Sequence, residues 1–429
     1  MIKQSTFKLS RLYIGLFTLS GFLLGCSGSD NEPVVVEEPT PVVVEKTPEE
    51  VLEEHIQAQL EPGNIPGIAA GVIKNGRLAW SKGFGYSNLA TQVPVTADTP
   101  FTIASTGKAV IGVALMKAVE DYNISLDDDI NSYGLPYLID NPNINGEVIT
   151  LRHLATHTSG IIDNDSTYPC GFVIEGTDLN LFEAVGLDLN CPRPLITDLP
   201  EFMEAYFEPT GIYYDANLNF DNSGAMPGEN FNYSNVASSL AARVIGHVSG
   251  SGFDVFTENN IFSPLEMTNT HWHYDDYPAD TEIATQYYVD SDGDGDGEVN
   301  EIPRYLIATY PDSSLKSTVN DLAKFLLTMM HQGEYNGNFL LSSESINEIM
   351  SDAAQVAENR HYGLFWDHLG QLWGHDGSDP GNHSLMYFHP EQQTGFIVLL
   401  NIEIDAFPDG RVDSALAEIT NGILQYLEN

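Results

Sequence analysis

Pro100-Phe101-Thr102-Ile103-Ala104-Ser105-Thr106-Gly107-Lys108 is the stretch on which the reading turns. A strand-like run ends at Ala104, and the apolar series Val110 to Val119 then follows a helical period. Between them lies an S-x-x-K spacing. A serine at a helix start faces backbone N–H groups that no helical carbonyl accepts, and these can also stabilise an oxyanion. Lys108, three residues on, shares a helix face with Ser105. A lysine held out of water releases its proton easily enough to act as a base. The same four residues also describe an N-cap serine followed by a solvated first-turn lysine. Two further S-x-x-K spacings exist. Ser5/Lys8 falls in an N-terminal apolar segment, and Ser313/Lys316 in a Pro-Asp-Ser-Ser stretch leading into a later helix.

Working outward, both ends of the chain read as sheet. Ile68 to Ile73 and Leu78 to Trp80 flank Asn75-Gly76, the signature of a type I′ hairpin. Leu385 to Phe388 and Phe396 to Leu400 read as strands. Residues 49–60 and 414–427 read as helices, and helical periods recur at Val110 to Val119, Asn235 to Val248 and Val319 to Met330. The expectation is an α+β fold: an antiparallel sheet built from both chain ends and flanked by helices, with a mostly helical lobe inserted over about residues 105–365. A cleft between two such lobes is the expected place for chemistry.

Two more elements carry candidate chemistry. Tyr233-Ser234-Asn235 precedes a periodic helix. Tyr233 there is expected to accept the serine proton if nearby cations lower its pKa, and Asn235 to hydrogen-bond a substrate amide and Lys108. A second such tripeptide, Tyr86-Ser87-Asn88, follows the first hairpin. Gly374-His375-Asp376-Gly377-Ser378 precedes the C-terminal strand pair. Its glycines permit close approach of a ligand to a sheet edge. His375 is expected to offer a tunable charge or hydrogen bond beside the tyrosine, and the Ser378 N–H an oxyanion contact. Taken singly, these are also a core tyrosine at a helix start and a glycine-rich turn with an exposed histidine.

In order, S-x-x-K, Y-x-N and H-x-G resemble the serine β-lactamase and penicillin-binding-protein superfamily, in its class-C-like branch. Ser125-Leu126-Asp127-Asp128, Leu151-Arg152-His153-Leu154, Thr156-His157-Thr158-Ser159-Gly160, Pro264-Leu265-Glu266-Met267 and Asn320-Asp321-Leu322-Ala323-Lys324-Phe325 look similar too. The resemblance covers roughly residues 50–427. It implies a serine hydrolase working through an acyl-enzyme on an ester, amide or D-amino-acid peptide, with catalytic residues Ser105, Lys108, Tyr233, Asn235, His375 and Ser378, and no cofactor for catalysis. The alternatives are a non-catalytic binding module on the same fold and a β-lactamase proper. Class C β-lactamases carry lysine in the third motif, and His375 here points towards peptidases and esterases. Residues 161–230, long for the family, are expected to form a lid over the cleft.

The N-terminus implies export. Lys3, Lys8 and Arg11 precede an apolar run from Leu12 to Gly25, and no acid occurs before Asp30. That run is too short for a mature membrane span and fits a signal peptide over residues 1–25. Leu23-Leu24-Gly25-Cys26 resembles a lipobox, which makes Cys26 the lipidation site, residues 26–48 a Pro/Glu-rich tether and residues 49–429 the domain. The expected location is the bacterial cell envelope, with a lipid anchor in the outer membrane. A net charge of −44 is incompatible with nucleic-acid partners. The expected partners are a small acyl or peptide substrate and a membrane reached through the lipid. Cys170 and Cys191 are disulfide candidates in an oxidising compartment.

Metal readings remain open as well. Asp290, Asp292, Asp294, Gly295, Asp296 and Glu301 fit an EF-hand-like loop for a structural calcium ion, although Gly297 and the strand-like flanks depart from that pattern. His153/His157 and His271/His273 have spacings that suit zinc, but no H-E-x-x-H occurs. No G-x-S-x-G occurs either.

Overall fold

A computed structural model describes residues 45–144, 146, 148–289 and 298–429. The leader, Cys26, most of the tether and Asp290, Asp292, Asp294 and Asp296 lie outside the described residues.

The architecture follows from one doubly buried sheet. Its strands in chain order are β1 (Gly67–Lys74), β2 (Arg77–Asn88), β3 (Val93–Pro94), β4 (Ala354–Ala357), β5 (Arg360–Tyr362), β6 (Asp367–Leu369), β7 (Leu372–Asp379), β8 (Asn382–His389) and β9 (Thr394–Leu400). They lie in the order β4-β5-β6-β7-β8-β9-β1-β2-β3, and every neighbouring pair runs antiparallel. The sheet is therefore made from the two chain ends, which meet where Ile68 faces Leu400 and Val72 faces Phe396. Asn75 and Gly76, at φ 54° and 65°, close the β1–β2 hairpin as that dipeptide predicts.

Five longer helices pack on this sheet or on one another: α1 (Pro48–Gly63), α2 (Lys108–Asp121), α3 (Asn235–Ser249), α4 (Val319–Met330) and α5 (Arg411–Glu428). Side chains alternate faces along β1, so Ile68, Ala70 and Val72 meet Leu52 and Ile56 of α1 and Leu416 and Ile419 of α5. Ala69 and Ile73 join the core on the other face, with Leu322 and Phe325 of α4. Gly71 is small for a reason of space. A Cβ there would lie 2.4 Å from Val319 Cγ1 at the start of α4.

Helix α2 is buried on nearly every side, from Lys108 through Met116. It runs through the middle of the larger core and packs against α3. A helix apolar all round belongs in a protein interior. Its start differs from the sequence expectation. Ala104–Gly107 forms a 3₁₀ turn and the α-helix begins only at Lys108. Only Phe101–Thr102 of the preceding run is a strand, and it pairs with Lys316–Ser317 outside the main sheet. Ala104 then takes φ 46°, a left-handed conformation that costs a non-glycine residue of order 1 kcal/mol and turns the chain sharply before Ser105.

Residues 161–230 pack partly into the main core. Phe172, Phe202, Tyr206 and Phe220 are buried in it, and Phe172–Ile174 pairs with Tyr305–Ile307. The density of aromatic side chains drives this, since each buries a large apolar area. Cys170 and Cys191 are joined as a disulfide within this region. Glu301 ends a short strand, Val299–Glu301, that pairs with Tyr287–Val289 on the other side of the acidic loop.

Substituting Gly71→Ala should destabilise the chain by about 1–3 kcal/mol through overpacking against Val319. A urea titration comparing midpoints at equal slope measures this. An unchanged midpoint would mean that α4 moves away without cost.

Candidate active site

The centre of the site is an amine with no access to water. Lys108 is 0 % exposed. Its Nζ donates to Ser105 Oγ at 3.0 Å and to the Asp312 carbonyl at 2.7 Å, and lies 5.1 Å from the centroid of the Tyr233 ring. Desolvation pushes the Lys108 pKa down from the usual lysine range, against the opposing pull of the Asp312, Asp379, Asp163 and Asp376 carboxylates. A neutral amine has a lone pair, so the contact with Ser105 can reverse and take the hydroxyl proton.

Tyr233 stands on the first residues before α3. Ser234 caps that helix, its Oγ accepting from the Ala237 N–H at 3.0 Å. The same hydroxyl donates to Asp163 Oδ1 at 2.8 Å, and the Asp163 carboxylate also accepts from the Asn235 and Val236 N–H groups. One half-buried acid thus anchors the Tyr-Ser-Asn corner by three hydrogen bonds. His157 supports it from behind. Its Nδ1 accepts from the Ser234 N–H at 3.1 Å, which puts the ring proton on Nε2, and its ring centroid is 4.3 Å from that of Tyr233.

The electrostatics of Tyr233 correct the sequence reading. Burial pushes its phenol well above the usual value; a hydrogen bond with Ser105 opposes this, and Asp376, Asp312 and Asp163 raise it further. Lowering by neighbouring cations does not occur, because the charges gathered here are carboxylates. Tyr233 is therefore a neutral phenol beside the serine hydroxyl. Asn235 is half-buried, and Lys108 donates to Ser105 and Asp312 rather than to its carboxamide.

His375 requires a second correction. It is buried, not exposed, and its two nitrogens are engaged. Nδ1 lies 2.5 Å from the Asp376 carbonyl and must donate to it. Nε2 then accepts from the Tyr362 hydroxyl at 2.6 Å. Desolvation lowers its pKa to about 4, so the ring is neutral near pH 7. Its centroid is 6.3 Å from that of Tyr233. His375 supplies neither a charge nor a free hydrogen bond to the site; it holds β7 in place through Tyr362 on β5.

Gly377 shows why the third motif carries glycine. A Cβ there would lie 2.5 Å from the Ile103 carbonyl oxygen and 2.8 Å from the Ser105 nitrogen. Strand β7 can approach the nucleophile's turn only without a side chain at that point. The approach is fastened by Ser384 on β8, whose Oγ donates to the Ile103 carbonyl at 2.6 Å and meets Thr106 Oγ1 at 2.8 Å. Ser378 follows Gly377 and is exposed.

Several residues of the site escaped the sequence reading. Asp312 lies beside the Ser313/Lys316 spacing. It is buried, its carbonyl holds Lys108, and its carboxylate accepts from Ser313 Oγ at 2.7 Å and Tyr168 OH at 3.2 Å. Lys316 is buried as well, donating to the Trp272 carbonyl at 3.0 Å, with its pKa lowered to about 7 by desolvation. Asp163 and Tyr362 carried no sequence signal, since single acids and tyrosines are too common to stand out.

The histidines with zinc-like spacing have separate tasks. His153 Nδ1 accepts from the Thr150 N–H, whereas His157 supports Ser234. His271 lies near Glu258 and His273 near Asp254. Among the described residues no group of three or more ligating side chains is arranged for a metal ion. No described helix is long and apolar enough to cross a membrane. A concavity of about 580 Å³ lined by Gln57, Leu60, Glu61 and Tyr86 lies away from Ser105 and presents no nucleophile.

Comparison with known proteins agrees with this geometry. Protein flp of Staphylococcus aureus (strain COL) is 24% identical over 354 residues, which is 82% of this chain and 63% of that protein, so the chain spans less than two thirds of that relative's length. The octameric penicillin-binding protein homologue from Pyrococcus abyssi superposes with a TM-score of 0.69 at 27% identity, over 87% of this chain and 77% of that one. The D-amino acid amidase from Ochrobactrum anthropi SV3 superposes with a TM-score of 0.65 at 21% identity, over 87% and 99%. The Beta-lactamase family profile matches residues 52–420, most of the chain, and the protein is therefore a member of the beta-lactamase family.

Proposed function

We propose that this chain is a serine hydrolase that works through a covalent acyl-enzyme at Ser105, on an ester, amide or D-amino-acid peptide. The observation that carries the reading is the 3.0 Å contact between the Ser105 hydroxyl and a fully buried Lys108 amine. In the forward step Ser105 Oγ bonds the substrate carbonyl carbon while the Oγ proton passes to Lys108 Nζ. The carbonyl electron pair moves onto oxygen, where the Ser105 and Ser378 backbone N–H groups receive it. Collapse expels the leaving group, which takes a proton relayed through the neutral phenol of Tyr233. Water then attacks the acyl carbon and restores Ser105.

The role of Asn235 in this scheme is to meet a substrate amide at the cleft. His375, neutral and buried, positions β7 and takes no proton. No cofactor is needed for these steps. For location we propose an envelope lipoprotein anchored through Cys26; a Cys26→Ala chain released from the membrane fraction supports this, and one that stays bound refutes it.

A Ser105→Ala chain should lose fluorophosphonate labelling, and Lys108→Ala should slow labelling by about 10²–10⁴-fold. Labelling of Ser105→Ala at the unaltered rate would place the nucleophile elsewhere. The pH dependence has a definite sign. Because Lys108 has a lowered pKa, its free-base fraction grows with pH earlier than for an ordinary lysine at 10.5. The labelling rate should rise with pH and level off below that value. A rate still climbing past pH 10.5 would remove Lys108 from the role of base.

A further inference from the structure

Beyond Gly377, strand β7 runs two more residues to Asp379, which faces Asn382 across the β7–β8 hairpin. Residues 377 and 379 point to the same face of the strand, and directly opposed residues share a face. Asp379 and Asn382 therefore lie on the side of β7 that abuts Ser105. Asn382 is 1 % exposed, and neither its Oδ1 nor its Nδ2 has a hydrogen-bond partner; Asp379 Oδ2 also has none. Buried polar groups are nearly always paired, and three unpaired atoms at one cross-strand position mark a place where a ligand group belongs.

The charge around this position selects the ligand. Asp312, Asp379, Asp163 and Asp376 all act on Lys108. His375 is neutral, and the Arg360 guanidinium is already paired with Asp367 at 2.8 Å and Asp376 at 3.8 Å. Asp312 and Asp379 repel one another, and burial with that repulsion raises Asp379 to about 7. Of the other cations near this strand end, Lys316 donates to the Trp272 carbonyl and Arg304 lies over the Tyr274 ring, whereas an ammonium would find one unpaired oxygen of Asp379 and the unpaired carboxamide of Asn382.

We infer that the substrate carries a free amino group beside the scissile carbonyl, and that Asp379 and Asn382 hold its ammonium. The spacing suits an aminoacyl substrate. Two strand residues span about 7 Å, and an α-ammonium stands two bonds from the carbonyl carbon, with a hydrogen bond bridging the rest. This rests on the acyl-enzyme reading above and narrows it to amino-acid amides, amino-acid esters or peptides with a free amino terminus. Asp379 and Asn382 bind and orient; the proton chemistry stays with Ser105, Lys108 and Tyr233.

The test uses the full chain with D- and L-alanine p-nitroanilides, their N-acetyl counterparts, and p-nitrophenyl acetate as a neutral reference. The free-amine substrate of the preferred hand should exceed its N-acetyl form in kcat/KM by about tenfold or more. Asp379→Asn should erase that ratio, chiefly through KM, and Asp379→Glu should restore part of it. Equal or better turnover of the N-acetyl form, with Ser105-dependent hydrolysis of p-nitrophenyl acetate intact, overturns this inference and leaves the serine-hydrolase reading standing. Absence of both ester hydrolysis and a fluorophosphonate adduct at Ser105 removes the two together. If the Asp379 variants fail to fold or the anilides are not cleaved, protection of the unaltered chain decides. Alaninamide should slow fluorophosphonate labelling at about tenfold lower concentration than N-acetylalaninamide, and equal protection overturns the inference.

Discussion

The buried amine of Lys108 is the constraint around which the rest of the molecule is arranged. A charged ammonium without water is costly, and a neutral one still needs partners for its N–H groups. The protein supplies a backbone carbonyl from Asp312 and the Ser105 hydroxyl. Desolvation drives the amine towards the neutral form, while four surrounding carboxylates restrain that shift. The result is an amine held at contact distance from a serine hydroxyl, the arrangement that the proposed acyl-enzyme chemistry uses. The apolar length of α2 behind it keeps water from the amine.

Three parts of the chain must converge to build this arrangement, and each is fixed by a different physical device. The Ser105 turn is set by the left-handed Ala104 and by hydrogen bonds from Ser384 and Thr106. The Tyr233 corner is set by Asp163, whose carboxylate caps α3 from a distant loop. Strand β7 is set by its register with β8 and by the missing side chain at Gly377. The local strain at Ala104 and the unpaired atoms of Asp379 and Asn382 collect in this one region. Departures from local consistency are expected to gather where a protein binds and reacts.

The distribution of charge gives the site its chemical character. Histidine in the third motif would be a cation if it were exposed. Buried between Tyr362 and the Asp376 carbonyl, it is neutral and structural. What remains around Ser105 is an amine, a phenol and a set of acids. That set of charges is the basis of the inferred preference for a positively charged substrate group.

The sequence by itself determined the sheet from both chain ends, the hairpin at Asn75-Gly76 and the spans of α2, α3 and α4 to within a few residues, because turn chemistry and apolar period are local properties. It also determined the ordered motifs that bring Ser105, Lys108 and Tyr233 forward as a set. Only the tertiary structure decided that Lys108 is dry, that Tyr233 stays a neutral phenol, that His375 is engaged by Tyr362, that the aromatic side chains Phe172, Phe202, Tyr206 and Phe220 join the main core, and that Asp312 and Asp163 lie at the site. Burial, ionisation and hydrogen-bond partnership depend on neighbours tens to hundreds of residues away, and no local pattern encodes them.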